Sequence, residues 1–115
     1  MNLHQLIRTR RTVGSFLPKP VDPALVEALL ESAVFAPNHR MTQPWRFIFI
    51  HTGGVERYAR VRAEMVETSK SQGTYAKFAN IPFYVIVVNK ISANSEIAEE
   101  DAHAAAALIQ NFLLL

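Results

Sequence analysis

The sequence predicts an α+β fold in which a central β-sheet is flanked by helices. Two short runs, residues 47–50 (FIFI) and 83–88 (FYVIVV), are rich in β-branched and aromatic side chains, as strands are. Between and around them, apolar residues recur at helical spacing. Half of the 115 residues are hydrophobic, enough for one small domain with a modest core. Residues 1–115 are therefore read as a single domain.

Each element follows from local pattern. Leu3, Leu6 and Ile7 predict a short amphipathic helix over residues 2–11. Its basic end, Arg8, Arg10 and Arg11, suits the helix dipole. Gly14 and the Pro18-Lys19-Pro20 step interrupt regular structure. Asp22 before Pro23 marks the next helix start, a capping acceptor followed by a proline at the first helical position. Val26, Leu29, Leu30, Ala33 and Val34 give that helix one apolar face up to Ala36, where Pro37 stops it.

Residues 47–50 then read as a strand buried on both faces, and Gly53-Gly54 as a turn. Val55, Tyr58, Ala59, Met65 and Val66 predict a surface helix over residues 55–71, broken by Gly73, with a short helical piece at 75–79. Residues 83–88 form the clearest strand. Ser95 precedes Glu96, Glu99, Glu100 and Asp101, acidic residues that favour a helix N-terminus. The helix continues over residues 102–115 with Leu108, Ile109, Phe112 and Leu113 on its buried side. Leu113-Leu114-Leu115 carries no glycine cap and no basic last turn, which predicts a fold that continues beyond residue 115.

Composition narrows the functional classes. Twelve basic against ten acidic side chains leave a net charge of +2, too mild to demand a nucleic-acid partner. The sequence has no cysteine, which rules out disulfides, thiolate metal sites and a cysteine nucleophile among these residues. No apolar run approaches the roughly 20 residues of a membrane span, and no signal peptide is evident. A cytoplasmic protein without membrane association is expected.

The chemistry concentrates in two segments. One is Arg10-Arg11-Thr12. The other runs from Phe35 through Ala36-Pro37-Asn38-His39-Arg40-Met41-Thr42-Gln43-Pro44-Trp45-Arg46-Phe47. In the second, two prolines bracket a polar loop, and Pro44 is expected to hold Gln43 extended. Trp45 offers a broad apolar surface with one N–H donor and is read as structural. Taken separately, these segments describe a solvated basic helix end and a helix-to-strand turn.

Together, in this order and spacing, they resemble the FMN-dependent nitroreductase family in its small, minimal-scaffold branch. That family carries R-R-S or a close variant near its N-terminus, then A-P-x-x-x-x-x-Q-P-W-R-F. The resemblance covers essentially all of this chain, and the chain covers about the first three-fifths of a family member. It implies FMN as cofactor and NAD(P)H as electron donor. It also implies a nitroaromatic, quinone or similar small acceptor, and a homodimer with shared flavin pockets. It places Arg10 and Thr12 at the phosphate and ribityl end, with Arg11 in support. His39 and Gln43 are placed in the loop that reaches the flavin, and Phe35 at a further matching position. An arginine fork pairs phosphate oxygens in bidentate fashion, imidazole can donate to the ribityl chain or phosphate, and an amide can donate or accept.

The chain departs from the family pattern at two positions. Thr12 replaces the usual serine and keeps the hydroxyl. Gly14 stands where many relatives carry Arg or Lys near the flavin pyrimidine edge. The family's backbone donor to the flavin N5 comes from a region C-terminal to these residues. No catalytic side chain is expected here, because the flavin carries the hydride.

Three other readings compete. A non-catalytic flavin-binding protein or a truncated, inactive relative would share both motifs. A nucleic-acid module built on Arg8, Arg10, Arg11, Arg40 and Arg46 would show a steep salt dependence, and interspersed acidic residues disfavour it. Glu100-x-x-His103 is half of a di-metal motif that needs a second copy; none exists, so no metal site is expected. The sequence also lacks a Gly-rich dinucleotide fingerprint and a Walker loop.

Overall fold

The computed structural model describes residues 1–115. Its helices are α1 (Leu3–Thr9), α2 (Pro23–Ala33), α3 (Gly53–Glu64), α4 (Thr68–Ala79) and α5 (Ser95–Leu114), with a single 3-10 turn at His39–Met41. Strands β1 (Trp45–His51) and β2 (Phe83–Asn89) pair into one two-stranded sheet. The pairing is antiparallel: Lys90 N–H donates to Pro44 O at 2.8 Å beyond one end, and the His51 ring stacks on Phe83 at the other. The architecture is α+β, as the sequence predicts. The chain forms two compact units, one of Met1–Thr12, Pro23–Phe47 and Val87–Leu115, the other of Val13–Asp22 and Ile48–Ile86.

In the first unit the core is Ala33, Ala36, Trp45, Ala104 and Leu108, with Val34, Phe47, Val87 and Phe112 packed against it. Small side chains on α2 and α5 leave room for Trp45 and the fully buried Pro44, so burial here comes from close backbone approach. Helix α2 ends because Pro37 has no N–H to continue the ladder. Phe35 and Ala36 donate only three residues back, to Ser32 O and Ala33 O, and Asn111 Nδ2 donates to Ala33 O across from α5. Helix α1 starts with a reciprocal capping box between Asn2 and Gln5. Its expected apolar face is not covered: α1 buries no residue, and Leu3 and Ile7 are 63% and 55% exposed.

The second unit packs aromatic rings. Tyr58 meets Tyr84 edge-on at 4.8 Å and Phe78 at 5.9 Å. Phe49 tilts against Phe83 at 5.4 Å, and the Arg62 guanidinium lies 4.8 Å from the Phe78 ring centre. Val55, Ala59 and Ala63 form the buried face of α3.

Several expectations are corrected. Gly53-Gly54 is not the turn but the start of α3; the turn falls at Thr52, whose φ is 49°. One long helix at 55–71 becomes two, because the chain leaves helical structure between α3 and α4. That break leaves Met65 71% exposed and Val66 exposed. Gly73 does not break α4, since twelve-residue continuity outweighs its roughly 1 kcal/mol helix penalty. Strand β1 is not buried on both faces; Arg46 and Ile48 are exposed. Asn94 caps α5, its Oδ1 accepting from the N–H groups of Glu96 and Ile97. Along α5, Leu108 is buried, but Ile109 and Leu113 are exposed.

Candidate functional site

The polar loop between α2 and β1 is the most constrained irregular segment. Arg40, Met41 and Gln43 all have positive φ, 58°, 53° and 44°. For side-chain-bearing residues this conformation costs about 1 kcal/mol or more each. The expectation that Pro44 holds Gln43 extended is therefore wrong. The restriction on a residue before proline is met here by the left-handed region, and Gln43 N–H is held at 3.2 Å by Asn38 Oδ1.

Helix α5 supplies the other anchors. Thr42 Oγ1 lies 2.9 Å from Asn38 Oδ1 and 2.6 Å from Asp101 Oδ1. Its single hydrogen favours the charged, closer acceptor. One residue earlier, Glu100 Oε2 lies 2.7 Å from His39 Nδ1. An ionised carboxylate only accepts, so Nδ1 carries the hydrogen in this pair. Consecutive acidic residues on α5 thus grip the loop at His39 and Thr42. A cleft of about 380 Å³ opens beside them, lined by Pro37, Asn38, His39, Glu100 and His103 and floored by Ala104 and Ala107.

Phe35, named by the resemblance and otherwise readable as core, is 87% exposed; it lies where the i→i−4 bonding that ends at Val34 gives way to tighter i→i−3 bonds. The side chain of Gln43 has no hydrogen-bond partner in the chain. Arg10 follows α1 as its C-cap, half-buried, and its guanidinium makes no hydrogen bond or ion pair. Arg11 is turned back instead: its Nη1 donates to Arg8 O at 2.9 Å and to Arg10 O at 2.8 Å. Thr12 is exposed. All six residues belong to one compact unit, yet no hydrogen bond joins Arg10, Arg11 or Thr12 to the loop.

Sequence reasoning missed Glu100 and Asp101 as loop anchors, treating them as dipole partners. Only Glu96 lies in the first turn of α5. A signal was present: Asp101, Ala104, Ala105 and Leu108 fall at i, i+3, i+4 and i+7, and all are buried. A carboxylate on an apolar stripe requires a donor from another element, and Thr42 is that donor.

The model of the nitroreductase family matches residues 7–115. The chain belongs to the nitroreductase family. It is 35% identical over 121 aligned residues to "Putative NAD(P)H nitroreductase YfhC" of Bacillus subtilis (strain 168), an alignment covering 98% of this chain and 62% of that protein. Among solved structures it is similar to a nitroreductase-like family protein from Bacillus cereus, with a TM-score of 0.89 and 26% identity over 99% of this chain and 63% of that one. It also shares the fold of a "putative nitroreductase in complex with FMN" from Desulfovibrio desulfuricans, with a TM-score of 0.73 and 24% identity over 99% of this chain and 62% of that one. The chain thus spans just over three-fifths of the length of these relatives.

Proposed function

We propose that this chain belongs to an FMN-dependent oxidoreductase that takes hydride from NAD(P)H and passes it to a nitroaromatic, quinone or similar small acceptor. Residues 1–115 would be part of one nitroreductase-like domain. The observation that carries the reading is the pairing, in one family-matched chain, of Arg10-Arg11-Thr12 with the Phe35 to Phe47 segment.

The residues present suit the cofactor. A phosphate dianion calls for a rigid cationic fork, and Arg10 has one with no protein partner to compete for it. Arg11 is occupied by backbone carbonyls, so it braces the bend that presents Arg10 and Thr12. His39 is held by Glu100 through Nδ1, which leaves Nε2 to accept from a ribityl hydroxyl when the ring is neutral and to donate to the ribityl chain or phosphate when it is charged. The unpartnered Gln43 amide would orient the bound group, and the exposed Phe35 ring would cover an apolar face. Bound FMN would supply the hydride chemistry. The homodimer with shared pockets and the cytoplasmic location belong to the same reading, and rest on the family resemblance alone.

Arg10→Ala tests it. FMN affinity of the native-length protein should fall more than about tenfold, as expected for loss of hydrogen bonds from a charged group. The unfolding midpoint should hold, because the guanidinium has no partner in the chain. Unchanged FMN affinity, or a parallel loss of fold, contradicts the assignment.

A further inference from the structure

We infer that Glu100 is a positioning residue for His39, fixing the ring through Nδ1 so that Nε2 is the nitrogen presented for binding. This rests on the flavin reading above for the identity of what is bound, but not for the contact itself. Three observations converge on it. The 2.7 Å Nδ1–Oε2 contact joins residues 61 positions apart, so it is a tertiary choice and not a helical neighbour pair. It falls in a loop held at three positive-φ residues, and strain of this kind persists only where surrounding contacts over-determine it. The adjacent Asp101–Thr42 bond locks the same loop to the same helix, so Glu100 is left to set the orientation of the ring.

The stability effect of the pair is small. Both side chains are about half exposed, 58% for His39 and 44% for Glu100, and solvent screens such a contact. What Glu100 supplies is proton placement. A carboxylate acceptor at Nδ1 keeps the hydrogen there, in the neutral ring as in the charged one. The Nε2 atom then accepts when the ring is neutral and donates when it is charged. His103 lines the same cleft but is one turn further along α5, and no hydrogen bond ties it to His39.

Nitrogen-15 chemical shifts of His39 in the native-length protein read the tautomer directly. Wild type should show Nδ1 protonated. Glu100→Ala should move the neutral ring toward the Nε2–H form, leave the unfolding midpoint unchanged and weaken FMN binding about threefold to tenfold. Glu99→Ala is the charge-matched control, removing an exposed neighbour on the same helix; it should leave the tautomer and FMN binding unchanged. An unaltered His39 tautomer in Glu100→Ala overturns the inference. So does an equal shift in Glu99→Ala, which would point to the general field, and so does a shifted tautomer with undiminished FMN affinity. A wild-type protein that retains no FMN fails the flavin reading instead, and the tautomer comparison then decides the Glu100–His39 contact on its own.

Discussion

The unit that holds α2 and α5 packs alanines around one tryptophan, whereas the unit that holds α3 and α4 packs tyrosines and phenylalanines around each other. The polar content differs as well. In the first unit a buried aspartate and a half-exposed glutamate reach out of α5 to hold a loop in an unfavourable backbone conformation. In the second, polar groups mostly decorate the rings: Tyr84 O–H donates to Phe78 O at 2.5 Å, and Arg62 covers Phe78. The contrast separates two uses of a small core. Aromatic rings stabilise by area and by their preferred edge-on and tilted contacts with one another, while close helix packing fixes α5 well enough for its carboxylates to aim at particular atoms.

The largest loss of stability is expected at Leu108, which is fully buried in the alanine-packed core. Leu108→Ala should cost about 2–5 kcal/mol in denaturant unfolding. A loss under 1 kcal/mol would show that the alanine layer collapses freely and is not a rigid platform. Next, Thr42→Val removes the donor to Asp101, which is only 5% exposed. Leaving that carboxylate without its donor should cost about 1–3 kcal/mol, and a neutral result would mean that solvent reaches Asp101 and the loop is not tethered.

In the aromatic unit the expected effect is smaller. Burial, reinforced by Tyr58 and opposed by Arg62, raises the Tyr84 phenol above its ordinary value of 10.0. The folded state therefore binds this proton more tightly than the unfolded chain. The resulting stability is fully present below pH 10 and is lost as pH rises through the raised value. Tyr84→Phe should cost about 1 kcal/mol at neutral pH and flatten the alkaline decline. A decline as steep as in wild type would show that Tyr84 does not carry it.

The sequence made the element types legible where period and composition agreed. The 83–88 run, the Asp22-Pro23 helix start and the Pro37 stop all depend on neighbours in the chain, and local chemistry decides them. It misled where tertiary contacts decide. The positive φ of Gln43 depends on Asn38 and the fold of the whole loop, so the pre-proline rule alone pointed the wrong way. The exposure of Leu3 and Ile7 on α1 shows that an amphipathic pattern predicts a helix without saying what covers its face. At the site, residue types were readable in Arg10 and His39 because their chemistry is distinctive. Glu100 looked like one more acid near a helix start, since nothing local marks a contact with a residue 61 positions away.

The most direct test of the central claim is the visible absorption spectrum of the native-length protein after gel filtration with added FMN. A flavin band near one FMN per protomer should be retained. A colourless protein that releases all its flavin would leave the family and fold in place but contradict an FMN-dependent oxidoreductase.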